Sequence, residues 1–157
     1  VSVSAGSVAG LAGLVIGEIE GSPAGVHQVA ASWRQAAAAV SEGAALVGSA
    51  QAVVASWQGQ GAEAFGASAS GLQGDTEALT AGLVGGAGAL EAYASVLEAA
   101  QHAATGLRAQ AESLVDSALG NPLAAGPAAA GLASLAATYQ ALRAEVHHAA
   151  TQAATTL

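Results

Sequence analysis

The sequence predicts an all-α fold: an elongated helical bundle built on an antiparallel helix-turn-helix hairpin, with extra N- and C-terminal helices. Three observations lead there. Apolar residues recur in a strict 4-3 alternation over two long stretches. Those stretches are separated by Trp57-Gln58-Gly59 and closed by Gly120-Asn121-Pro122, both of which interrupt helices. Hydrophobic residues reach 53% while aromatics are only 3%, because alanine supplies most of the apolar content. Alanine favours helix and close helix approach, whereas a β-rich domain needs β-branched and aromatic residues. At 157 residues the chain is the size of a single domain.

Each element follows in order. A first helix is expected over about 4–20, with Val8, Leu11, Val15 and Ile19 at helical spacing. Gly21-Ser22-Pro23 ends it, and Ser22 and Pro23 suit the N-cap and first position of the next helix. That second helix, 23–56, carries a heptad seam of Val26, Ala30, Trp33, Ala37, Val40, Ala44, Val47, Gln51 and Val54. Gly59 and Gly61 then supply the backbone freedom of a turn.

The third helix, 62–119, has the longest seam: Phe65, Ala69, Leu72, Thr76, Leu79, Leu83, Gly86, Leu90, Tyr93, Leu97, Ala100, Ala104, Leu107, Ala111 and Leu114. Gly82, Gly85, Gly86 and Gly88 each cost helix propensity, up to about 1 kcal/mol. The register nevertheless passes through them without a slip, which favours one continuous helix. A connector over 120–127 leads to a fourth helix, 128–157, with Leu132, Leu135, Tyr139, Leu142 and Val146 on one face and a polar end expected to fray. The second helix is long enough to cover only the first half of the third. The fourth is therefore expected to fold back along the remainder, giving one narrow helical domain over 1–157.

Charge and composition narrow the function classes. Eleven acidic residues oppose Arg34, Arg108 and Arg143, with no lysine, for a net charge of −8. Phosphate backbones and anionic lipid surfaces would be repelled, so nucleic-acid binding and electrostatic membrane anchoring are not expected. Cysteine is absent, which removes disulfide and thiolate chemistry. The apolar run at 8–17 has no basic residue before it and meets Glu18 and Glu20 at once, unlike a cleavable export signal. The uncharged runs 43–62 and 117–142 are alanine-rich and broken by polar residues, a weak basis for membrane insertion.

No catalytic set emerges, and the chain is expected not to be an enzyme, to need no cofactor and to take no small-molecule substrate. Serines are scattered, and no nucleophile elbow or phosphate loop occurs. Glu18, Glu20, Glu63, Glu91, Glu98 and Glu112 are spread along the helices, as on a solvated face. Among His27, His102, His147 and His148, only Glu145 with His148 approaches a ligand spacing, so no metal is expected. Trp33 lies in the seam and reads as core. Trp57 plugs the hairpin end in the plainer reading, but an aromatic body with one N–H donor also suits an interface anchor.

The run Ala55-Ser56-Trp57-Gln58-Gly59-Gln60-Gly61-Ala62-Glu63-Ala64-Phe65 resembles the hairpin corner of the WxG proteins exported by type VII secretion systems. Leu90-Glu91-Ala92-Tyr93-Ala94-Ser95-Val96-Leu97-Glu98-Ala99-Ala100-Gln101 is similar to a stretch in the N-terminal WxG domains of larger secreted effectors and toxins of Gram-positive bacteria. Together the resemblance covers about 22–118. It implies a non-enzymatic secretion substrate, or the targeting domain of a larger effector, made in the cytoplasm and exported to the surface or medium by a non-Sec route.

Its implied partners are a small WxG-type protein or a second copy, and a secretion ATPase that reads the Trp-x-Gly corner. Trp57 and Gly59 match that corner, and Phe65 and Tyr93 are candidate partner-facing residues. The family's second half-signal, Tyr-x-x-x-Asp/Glu, is not matched: Tyr93 is followed by Leu97 and Tyr139 by Arg143. A structural helical scaffold or surface protein that self-assembles, without any signal role, is the competing expectation.

Overall fold

A computed structural model describes Gly13 and residues 15–157. Among these residues there are three α-helices and no strand: α1, Pro23–Val54; α2, Gln60–Gly120; and α3, Ala125–Thr156, preceded by a 3₁₀ turn, Pro122–Ala124. The fold is an all-α helical bundle. It comprises two compact units, one combining the described residues up to Pro23 with Tyr93–Gln152, the other combining Ala24–Ala92 with Ala153–Leu157.

In the Ala24–Ala92 unit, α1 and the first part of α2 form an antiparallel hairpin. Near the corner Gln51 donates from Nε2 to the Gly66 carbonyl and to Ser70 Oγ, both at 3.3 Å. Further back Gly48 lies against Gln73, and at the far end Trp33 lies against Gly86. Each step back along α1 thus meets an equal step forward along α2. Every residue of the α1 seam read from the sequence, Val26 through Val54, is buried or half-buried. By length and composition α1 is also apolar enough to cross a membrane.

The facing side of α2 corrects the sequence reading. Ala69, Thr76 and Leu83 lie in the contact as expected, but Phe65, Leu72 and Leu79 are exposed. The positions that turn inward with the shared three are Ala62, Gly66, Gln73 and Thr80. The period was right and the face is rotated by about one residue. Small and amide-bearing side chains in the contact let the backbones approach closely enough for the Gln51 bonds, which a phenyl ring at the Gly66 position would block. The glycines at 82–88 do not break α2, which runs through them.

At the open end of this hairpin, Arg34 donates from Nε and Nη2 to the two Glu91 carboxylate oxygens at 2.8 and 2.7 Å. These bonds first, and the charges of Arg34 and His27 after them, hold the Glu91 carboxyl below the usual glutamate range against an opposing desolvation effect. A depressed carboxyl contributes stability above its unfolded pKa, and that contribution disappears as pH falls through the folded one. We expect the melting-temperature gap between wild type and Glu91→Gln to be present at neutral pH and to close below about pH 4. Both side chains are well exposed, so the gap will be small and will shrink with added salt. A gap independent of pH would show that the pair contributes nothing as an ion pair.

In the other unit, the second part of α2 and α3 lie antiparallel around a cluster of Ile16, Ala104, Ala111 and Tyr139, flanked by Ile19, Leu107, Leu132 and Leu135. Asn121 turns the chain between them: its Oδ1 accepts from the Leu123 N–H at 3.1 Å. The fourth helix begins at Ala125, three residues before its expected start, because Pro127 falls in the first turn, where no intrahelical N–H is required. Nor does its polar end fray: α3 continues to Thr156 and Ala153 is buried.

Most of the helix expected over 4–20 lies outside the described residues. Gly13 and Val15 are helical, but from Gly17 to Glu20 the chain has no regular structure, contrary to expectation. Side chains from the helices satisfy this strap's carbonyls instead. Gln101 Nε2 donates to Ile19 O at 2.9 Å and Gly21 O at 3.0 Å, and Arg108 Nη2 donates to Ile16 O at 3.4 Å. The Tyr139 hydroxyl reaches Glu18 O at 3.5 Å. Ile16 is fully buried, so the strap closes the core that a continuing helix would leave open.

Candidate functional site

The corner between α1 and α2 is built by main-chain bonds that leave its large side chain outside. The Trp57 N–H donates to Val54 O at 2.8 Å and ends α1. Gly59 then takes φ +112°, and its carbonyl accepts from the Ala62 and Glu63 N–H groups at 3.1 and 3.2 Å, starting α2. A Cβ at Gly59 would meet nothing within 4 Å, so the backbone angle alone explains the glycine. Gly61, the other expected turn residue, is helical. Glu63 in the first turn faces the positive end of the α2 dipole. Trp57 is left 63% exposed.

Next to the corner, within the same hairpin, runs a shallow apolar groove of about 370 Å³, lined by Leu46, Val47, Ala50, Phe65, Ser68, Ala69 and Leu72. Its floor includes Val47 and Ala69 of the seam, and its walls include Phe65 and Leu72, displaced from the α2 seam, and Leu46 and Ala50, off the α1 seam. Leu46 is 72% exposed, Leu72 49% and Phe65 39%. Leu46 and Val53 are seven residues apart on α1, and Phe65, Leu72 and Leu79 repeat at seven on α2. Sevenfold spacing keeps a row on one side of a helix, so each helix carries an exposed apolar strip at coiled-coil period. An isolated exposed leucine needs no explanation, whereas these aligned rows form an exposed apolar patch beside the groove.

The sequence placed Phe65 in the hairpin contact and also as a partner-facing candidate. The structure sets it in the groove wall, in the same hairpin as Trp57 and Gly59. Leu46 and Val53 lie off the heptad seam, and so escaped sequence reasoning. Their signal was large side chains seven apart on an alanine background. Trp33 is half-buried against Gly86.

Tyr93 belongs to the other unit. It is half-buried and lines a cleft with Glu18, Glu20, Tyr139, Arg143 and His147. Tyr139 is buried and part of the core, with the Arg143 guanidinium 6.0 Å from its ring centroid. Neither tyrosine has a carboxylate four residues on, and the downstream places are filled by Leu97, itself core, and Arg143. A second cleft under the strap is lined by Gln101, Thr105 and Arg108. Gln101 and Arg108 Nη2 hold carbonyls of residues 16–21, Thr105 Oγ1 donates to the Gln101 carbonyl of its own helix at 3.0 Å, and Arg108 Nε is buried without a hydrogen-bond partner among the described residues. Among the described residues no three His, Asp or Glu side chains gather as metal ligands.

No family model, curated protein or solved structure matches this chain.

Proposed function

We propose that this chain is a non-enzymatic type VII secretion substrate, or the targeting domain of a larger one. It acts through pairing of its helical hairpin with a protein partner and through reading of the Trp57 corner by export machinery. One observation carries the reading: the hairpin's most conspicuous aromatic is presented to solvent at a turn that Gly59 shapes, and is not spent on packing. An indole with nearly two thirds of its surface open is poorly explained as a plug, and well explained as an anchor for another surface. The adjoining apolar rows supply what a helical partner would cover. The acidic half of the family's signal is absent after Tyr93 and Tyr139, and in this reading it comes from the partner or from another part of the same protein.

The test is Trp57→Arg in cells that export the protein. Because the side chain is exposed, the change should move stability by no more than about 0.5 kcal/mol, with an unaltered circular dichroism spectrum. Export should fall to background while the cytoplasmic pool rises. Normal export of the folded variant would remove the signal role and leave the self-assembling scaffold as the better account.

A further inference from the structure

The groove beside the corner also carries information about what it accepts. Glu42 lies four residues before Leu46 on α1, and Asp75 lies three after Leu72 and four before Leu79 on α2. Residues three and four apart share a helix face, so each apolar row has a carboxylate on its own side. Both are exposed. Arg34 is the only arginine or lysine between 24 and 92, and it is tied to Glu91 at the open end of the hairpin. The rim therefore holds two negative charges and no cation of its own.

We propose that this groove seats a helix of a different protein, one whose apolar heptad strip is flanked by lysine or arginine, and that the same rim rejects a second copy of this chain. The inference rests on the reading of the hairpin as a partner-binding surface and names the partner's chemistry. A two-fold dimer through this face sets the same patch against itself. Four carboxylates would then meet with no positive charge among them. Such like-charge contact is the repulsive element by which interfaces refuse wrong partners. A basic-flanked strip instead buries against Leu46, Phe65 and Leu72 and pairs with Glu42 and Asp75.

Two synthetic three-heptad helical peptides test this against the full chain by fluorescence anisotropy. They share one leucine strip and differ in flanking residues, lysine in one and glutamate in the other. The lysine peptide should bind about tenfold more tightly at low salt, the scale of two exposed charge pairs with their like-charge counterparts. Added salt should narrow that preference. Glu42→Gln with Asp75→Asn should abolish it, and Leu46→Gln with Leu72→Gln should abolish binding of both peptides. All four residues are on the surface, so these variants keep the fold. Trp57→Arg should leave both affinities unchanged, which separates this test from the export test. Equal binding of the two peptides, a preference that survives Glu42→Gln with Asp75→Asn, or a native dimer that Leu46→Gln with Leu72→Gln dissociates would overturn the proposal.

Discussion

Replacing Gly86 with alanine is expected to destabilise the α1–α2 hairpin despite the general preference of helices for alanine. A Cβ there would fall within contact range of Trp33 Cζ3, 2.8 Å from Cε3 and 3.1 Å from Leu157 Cδ2. The indole is a rigid plate, so it can make room only by turning as a whole about its two side-chain torsions and giving up the contacts it makes at the hairpin's open end. Relief of the glycine penalty is worth up to about 1 kcal/mol. Overpacking a fitted contact costs about 1–3 kcal/mol, and the second effect should win.

Gly86→Leu should cost more than Gly86→Ala, because its branched carbons must occupy the volume of the indole itself. Trp33→Leu supplies the decisive control. It removes the plate, so Gly86→Ala in that background should become neutral or stabilising. The double-mutant cycle, read from urea midpoints, should show strong non-additivity. Additive effects would mean that the indole does not constrain position 86.

The glycines at 82–88 show which parts of this fold the sequence disclosed. Their register announced a continuous helix, and α2 is one. What remained hidden was why Gly86 is tolerated, since the ring that fills its place lies more than fifty residues earlier. Helix boundaries were legible from Pro23, Gly59 and the Asn121 turn, all of which act locally.

The rotation of the α2 face was not legible. In an alanine-rich helix several faces are nearly equivalent in hydrophobicity, and the few large side chains draw the eye to Phe65, Leu72 and Leu79. The contact instead uses Gly66, Gln73 and Thr80, which permit close approach and hydrogen bonding that hydropathy does not score. Part of the candidate site was visible for the same reason: Trp57 and Gly59 announce a turn, and Phe65 follows it. Leu46 and the acidic rim became meaningful only once the groove had two sides. The strap was hidden most completely, because Val8, Leu11, Val15 and Ile19 continue a helical pattern through it. Its true partners, Gln101, Arg108 and Tyr139, lie some eighty to one hundred and twenty residues away.

Gly21→Val should produce the largest loss in the strap-bearing unit, because two independent penalties coincide there. Gly21 has φ +132°, a backbone angle that residues with a Cβ rarely adopt, and holding another residue there costs on the order of 1–3 kcal/mol. A Cβ would also stand 2.7 Å from Leu97 Cδ2, and Leu97 is sealed in the core, so its methyl group has little space into which to move. If the strap relaxes to relieve the angle, it moves the carbonyls of Ile19 and Gly21 away from the Gln101 amide, which presently accommodates both. The expected total is about 2–4 kcal/mol.

Alanine at the same position should lose nearly as much, since the Cβ creates both problems. Leu97→Ala carries its own cavity cost, so the steric part is read as the coupling in a double-mutant cycle of Gly21→Ala with Leu97→Ala, and the strain of the backbone angle should remain outside that coupling. Hydrogen exchange identifies the route of the loss: the α2 amides around residues 97–108, which the strap packs on, should exchange faster while those of α1 keep their protection. A Gly21→Val protein with native stability and unchanged exchange over residues 97–108 would show that neither the angle nor the Leu97 contact constrains the segment.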